Sequence, residues 1–352
     1  MERELDILAI GNPLVDMVAF CDEDTATLLG LHPNSNIDVS RERLNDILIA
    51  LPDPSPSSGG GAANVAKLAA LMGFKAAFTG CIGSGPDGKK DRFARHFEND
   101  MRASGVELHL KQSPKPSGAC AVIHMAGGLI SIAADPSAAL DLDAEDIDEA
   151  LIRRARILML DGFLLSRTAL ISRILELADY YGTTVALDLS LPRIASESAG
   201  FVADMARRYP LILFMNEAEA NAFSCAFKTG TSAKSCSEVP DYDVDETIDE
   251  DERYQALRSL CLDGPFPIAV VKQAEKGVLV FASSSRYAVP TRARTPFDRT
   301  GAGDAFAAGF LSSWLKGRAL RDCAVRGNRI AREILTVPGS DPDREKLIKL
   351  AR

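Results

Sequence analysis

Short apolar runs separated by turn-forming residues recur along the chain, and from residue 157 they alternate with stretches of helical period. Leu5–Ile10 is the first run and ends in Gly11-Asn12-Pro13, the pattern of a buried strand feeding a loop at its carboxyl end. Residues 16–20 alternate weakly, as a half-exposed strand does, and residues 34–39 predict another small strand. The Pro- and Ser-rich stretch 52–58 reads as a loop. Ser58-Gly59-Gly60-Gly61 opens a helix over about 62–72 that Gly73 stops, and 74–82 is the next strand. Residues 118–125 and 129–134, joined through Ala126-Gly127-Gly128, make a hairpin. The regular part then predicts strands at 157–161, 184–189, 211–215, 268–272 and 277–281, with helices at about 167–181 and 197–208. Phe306, Phe310 and Trp314 recur four residues apart, so one face of a helix beginning near Gly301 is apolar. A last amphipathic helix covers about 319–335. Strands alternating with helices predict an α/β fold around a doubly wound, mostly parallel sheet. The hairpin, with strands at about 14–20 and 34–40, predicts a small β-sheet projecting from a single domain over 1–352.

Composition narrows this picture. With 46% hydrophobic residues, 352 residues suffice for a large core. A net charge of −9 without any basic tract argues against nucleic acid or an anionic membrane as partner. Seven cysteines without a CxxC pair fit reduced thiols and a cytoplasmic protein, and the start Met-Glu-Arg-Glu lacks the order of a signal peptide. The uncharged stretch 116–134 contains Ser117, His124 and Gly127-Gly128, which suits a hairpin better than a membrane span. The four histidines have no metal-ligand spacing and read as surface or packing residues. Residues 228–252 are polar and acidic and read as a mobile surface excursion, dispensable for chemistry.

Candidate chemistry is densest at Asp298-Arg299-Thr300-Gly301-Ala302-Gly303-Asp304. A helix start presents unpaired N–H groups beside a partial positive charge, and Gly301, Ala302 and Gly303 leave room for an oxyanion to approach them. Asp304 beside this cradle can take a proton from an incoming hydroxyl while the cradle holds charge on a transferring phosphoryl group. The alternative is a tight turn whose acidic residue satisfies the helix dipole. Asn12 and Asp16 follow the first strand, where open α/β sheets bind ligands, and are candidates for hydroxyl binding or for turn and exposed-strand roles. Gly60 and Gly61 permit close approach, and Asn64 on the first turn either reaches into the same space or is a cap or a core amide. Asn216 and Glu219 follow a strand end. They read as a capping Asn and a surface Glu, or Glu219 helps hold magnesium through water. Residues 83–89 imitate a GxxxxGK phosphate loop, but Lys90 replaces the required Ser or Thr and Pro86 removes a donor, so this reading is rejected.

The late Asp-x-Thr-Gly-Ala-Gly-Asp and the early Gly-Gly-Ala-Ala-Asn at 60–64 together resemble the ribokinase family, the PfkB carbohydrate kinases. The resemblance implies a large α/β/α domain with a small β-sheet lid, and transfer of the γ-phosphoryl of ATP, with Mg2+, to a primary alcohol. It implies Asp304 as base, Gly301 to Gly303 as anion hole, and Asn216 and Glu219 as the NxxE motif near magnesium and phosphate. Asn12, Asp16, Gly60, Gly61 and Asn64 match acceptor positions, and Lys272, Gly277 and Asn328 fall where the family lines its nucleotide pocket. Two departures stand out: Ala274 where a glycine is common, and Gly127-Gly128-Leu129 where the lid commonly carries an arginine. They motivate one alternative from another class, a non-catalytic nucleotide or sugar sensor.

Segments such as Gly11-Asn12-Pro13-Leu14-Val15-Asp16, Ser117-Gly118-Ala119-Cys120 and Asp161-Gly162-Phe163-Leu164-Leu165 look most like the adenosine kinase branch. Leu14 and Phe163 suit a flat base, whereas Asp38 and Arg193 argue for further polar contacts. The acceptor expected is a ribonucleoside, with a free sugar of ribose or fructose type as the alternative, bound by a monomer or homodimer.

Overall fold

The computed structural model describes residues 3–229, 254–263, 267–294, 296, 298–336 and 344–351. The acidic stretch expected at 228–252 lies, from residue 230 onward, outside the described residues. The strands are β1 (Leu5–Ile10), β2 (Leu14–Phe20), β3 (Asn36–Asp38), β4 (Ser55–Gly59), β5 (Ala76–Gly83), β6 (Glu107–Ser113) and β7 (Gly118–His124). They continue with β8 (Ile130–Asp135), β9 (Ala155–Asp161), β10 (Thr184–Asp188), β11 (Leu211–Asn216), β12 (Ile268–Lys272), β13 (Val278–Ala282) and β14 (Ser285–Val289). Two compact units are formed: Met1–Leu8, Ile147–Arg294 and Phe306–Arg329 in the first; Ala9–Asp146, Thr295–Ala305 and Ile330–Arg352 in the second.

In the first unit β9, β10, β11 and β12 pair in parallel and β13 and β14 add antiparallel edge strands. Residues 157–160 and 211–215 are all buried, which is why these strands read as unbroken apolar runs. The helix Ala302–Trp314 buries Phe310 against Phe214, with ring centroids 5.4 Å apart and an edge-on geometry. The helix expected at about 197–208 is Ala199–Arg208, and a further helix, Pro192–Glu197, precedes it, the two divided at Ser198, which leaves the helical region (φ −99°, ψ 2°).

In the second unit β5 and β6 pair in parallel, and a separate five-stranded sheet runs β3-β8-β7-β2-β4. The sequence reads 52–58 as loop; instead Ser55–Gly59 pairs antiparallel with β2. A strand of Ser and Pro lacks apolar alternation, and Pro56 is tolerated because β4 is an edge. The helices Arg41–Ala50 and Arg92–Ala103 pack against this sheet. The covered face is built from Val15, Ala119, Ala121, Ser131 and Ala133, all buried. The opposite face carries Val18, Cys120 and Val122, with Leu14, Ile130, Ile132 and Ala134 only partly buried around them. Asp16 lies on that open face, between Cys120 of β7 and Ser57 of β4.

Candidate active site

Within the second unit the turn before the Ala302–Trp314 helix is fixed from inside. Asp298, buried, accepts the Thr300 N–H at 2.7 Å through Oδ1. Gly301 takes a left-handed φ of +72°, and its carbonyl accepts the Ala305 N–H at 2.8 Å, which starts the helical ladder. First-turn N–H groups precede the first intrahelical acceptor, as a cradle requires. Ala302 departs from that expectation: its N–H is turned back to the Arg299 carbonyl at 3.2 Å.

Asp304 and Asn64, 240 residues apart in sequence, meet: Asn64 Nδ2 donates to Asp304 Oδ2 at 2.8 Å. Asn64 is buried on the first turn of the Gly61–Leu71 helix. The glycines ahead of that helix are sterically required. Gly60 has φ +100°, and a Cβ on it would lie 2.2 Å from the carbonyl oxygen of Asn12. A Cβ on Gly59 would lie 2.3 Å from Asp16 Oδ2, so Gly59, read from sequence only as part of the helix opening, makes the room that Asp16 occupies. Burial lifts the Asp16 carboxyl to about 6 against a hydrogen bond from Cys120, and the charge of Asp298 adds to the rise. Asp16, Asn12, Gly60, Gly61, Asn64 and Asp304 thus belong to one unit.

Two supports were not legible beforehand. Lys67, 1% exposed, donates to Asp100 Oδ2 at 2.8 Å and to Ser58 Oγ at 3.3 Å, and the Ser58 hydroxyl also donates to Asp100. Burial pushes the Asp100 carboxyl up, but the hydrogen bond and charge of Lys67 outweigh it and hold the group below its ordinary range. This network anchors the residue immediately before the three glycines. The second support is His124, read from sequence as a surface or packing residue: its Nε2 lies 3.5 Å from Asp298 Oδ2 and its ring stacks on Phe20 at 5.0 Å. Burial lowers the His124 pKa against the pull of Asp298.

The first unit holds the other expected residues at strand ends. Lys272 Nζ donates to Asp188 Oδ2 at 2.6 Å, closing β12 onto β10. Asn216 and Glu219 form a reciprocal cap: the Asn216 N–H and Nδ2 each donate to a different Glu219 oxygen at 2.8 Å, and the Glu219 N–H donates to Asn216 Oδ1 at 2.8 Å. Glu219 is only 3% exposed, so it is not a surface glutamate. Gly277 (φ +105°) and Asn328 converge on one carbonyl: a Cβ on Gly277 would lie 2.2 Å from Val289 O, and Asn328 Nδ2 donates to it at 3.2 Å. Ala274 sits at φ +47°, a conformation that glycine adopts without strain. Phe163 is 39% exposed in the turn after β9, and Arg193 pairs with Glu197 at 3.4 Å. Among the described residues no three His, Cys, Asp or Glu side chains cluster as a metal site, and no helix is long and apolar enough to cross a membrane.

The model of the pfkB family of carbohydrate kinases matches residues 34–347. The chain belongs to that family. This pfkB-family kinase is a phosphotransferase, and the family implies ATP as donor. It is 26% identical to the adenosine kinase of Saccharomyces cerevisiae over 97% of its own length and 98% of that protein. Its fold is similar to the adenosine kinase of Sinorhizobium meliloti (TM-score 0.83, 25% identity, 99% of each chain). It is equally similar to a probable sugar kinase of Rhizobium etli CFN 42 (TM-score 0.84, 25% identity, 100% of this chain and 98% of that one). A mostly parallel large sheet with a smaller sheet is the architecture this adenosine-kinase-like member has.

Proposed function

We propose that the protein transfers the γ-phosphoryl of ATP to the primary hydroxyl of a ribonucleoside. The observation that carries this reading is the hydrogen bond between Asn64 and Asp304, which couples the helix of the acceptor glycines to the carboxylate at the helix start. Asp16 and Asn64 bind the ribose hydroxyls, with Asn12, Gly60 and Gly61 shaping the approach. Asp304, oriented by Asn64 through one of its carboxylate oxygens, takes the proton of the acceptor hydroxyl as the hydroxyl oxygen attacks the γ-phosphorus and the γ-phosphorus–oxygen bond to ADP breaks. The N–H groups of residues 301–303 face the charge on the transferring group, those of Gly303 and Gly301 more than that of Ala302.

Lys272, Gly277 and Asn328 form the nucleotide wall, and Asn216 and Glu219 hold the end of β11 beside Lys272. Each Glu219 oxygen already accepts one hydrogen bond from Asn216, which fits contact with Mg2+ through water better than direct ligation. Magnesium, when bound, neutralises charge on the donor phosphates. A ribonucleoside is favoured over a free sugar by the apolar open face of the five-stranded sheet next to Asp16, and by the adenosine kinases among its relatives. Steady-state kcat/KM for adenosine, guanosine, ribose and fructose with magnesium-ATP tests the reading. At least one nucleoside is expected to exceed both sugars about tenfold or more; a free sugar ahead of every nucleoside by that margin overturns the acceptor.

A further inference from the structure

The five-stranded sheet sets one row of side chains across its open face. Asp16 of β2 is in register with Cys120 of β7, Cys120 with Ala134 of β8, and Ala134 with Asp38 of β3. Laterally paired residues point to the same side of a sheet, so the row reads carboxylate, thiol, methyl, carboxylate. Three strand spacings separate its ends, roughly 14 Å between backbones. Both end side chains reach onto the face, which leaves a span suited to a purine ribonucleoside with a hydrogen bond at each end. The floor between them is small and apolar, flanked by Val18, Val122 and Ile132. Burial, then the charge and hydrogen bond of Asp16 and the charge of Asp38, raise the Cys120 thiol well above its ordinary range, so it stays neutral under a bound base. Asp38 is exposed on the edge strand, whereas Asp16 is lifted by burial.

We infer that Asp38 reads the far edge of the base and selects guanine, making this kinase prefer guanosine; this rests on the ribonucleoside reading above. An ionised carboxylate only accepts hydrogen bonds. Guanine offers it two adjacent donors, N1–H and the exocyclic amine, in the side-by-side geometry that two carboxylate oxygens match. Adenine offers one donor beside the N1 lone pair, and that lone pair faces the carboxylate unfavourably. Hypoxanthine offers a single donor. Asn36, two residues before Asp38 on β3 and in register with Ile132, lies on the same face, and its amide can donate to guanine O6.

The test is kcat/KM for guanosine, inosine, adenosine and free ribose in the wild-type enzyme and in Asp38→Ala and Asp38→Asn. Because Asp38 is exposed on a short edge strand, both variants are expected to keep the wild-type melting temperature. Guanosine is expected ahead of adenosine by about tenfold or more in the wild type. Asp38→Ala brings the guanosine-to-adenosine ratio towards unity. Asp38→Asn, whose amide carries one donor and one acceptor, moves it in favour of adenosine. A wild-type preference for adenosine, or a ratio that stays within twofold in both variants, overturns the role of Asp38 and leaves the ribonucleoside reading standing. Ribose ahead of every nucleoside overturns both.

Discussion

The residues expected at the nucleotide in the first unit and Asp16 in the second differ in how their polar groups are satisfied. In the first, the residues expected at the nucleotide are held by protein partners: Lys272 by Asp188, Asn216 by Glu219, Asn328 by the Val289 carbonyl. In the second, Asp16 has its carboxyl raised by burial, with a cysteine rather than a cation beside it, and Gly59 clears the space it occupies. A surface that receives a charged, multidentate phosphate ligand gains from donors already locked in place. A surface that must bind hydroxyls gains from an acceptor such as the Asp16 carboxyl, beside which Cys120 stands. The contrast is one of preorganised donors against poised acceptors.

The largest expected effect removes the proposed base. Asp304→Asn keeps an oxygen acceptor for Asn64 and is expected to lower kcat by about 10² to 10⁴ with little change in melting temperature. Near-native turnover in that variant would remove Asp304 from the mechanism. Next come the two glycines with the tightest carbonyl contacts. Gly60→Ala is expected to raise the acceptor KM about tenfold or more while sparing the KM for ATP, and Gly277→Ala to do the reverse. If either variant moved both constants equally, the proposed assignment of Gly60 to the acceptor and Gly277 to the donor would be lost.

Asp16 gives a smaller effect with a defined sign. Its folded pKa of about 6 lies above the ordinary 3.8, so the folded protein binds this proton more tightly than the unfolded chain. The stability penalty is therefore full above about pH 6 and fades as pH falls towards 3.8. Asp16→Asn is expected to stabilise the apo protein at pH 8 by about 1–2 kcal/mol, to leave it unchanged near pH 4, and to weaken acceptor binding. In the wild type the acceptor KM should rise as pH drops through about 6. Denaturant melts at the two pH values check the first part, and an unchanged stability at pH 8 contradicts it. The smallest effect is Ala274→Gly. Relief of the left-handed strain should stabilise the first unit by about 0.5–1 kcal/mol, measured by urea unfolding.

Much of this architecture was legible because local patterns report burial. The strands β9 to β12 carry continuous apolar runs, as parallel strands covered on both faces do. The helix from Ala302 was readable from three aromatic residues at its own spacing. β4 was not, since Ser55–Gly59 owes its strand conformation to pairing with β2 and nothing to its own side chains. His124 looked like a packing residue because its partner, Asp298, is 174 positions away, and Glu219 looked exposed because its burial depends on neighbouring elements.

By itself the sequence determined the family signatures and the alternation of strands and helices that makes the sheet parallel, because each is encoded within short stretches of consecutive residues. Tertiary structure alone decided that Asn64 holds Asp304, that Gly59 makes room for Asp16, and that Asp38 shares a face with Asp16 across two intervening strands. Those facts depend on register and long-range approach, where one residue of slip turns a side chain to the opposite face.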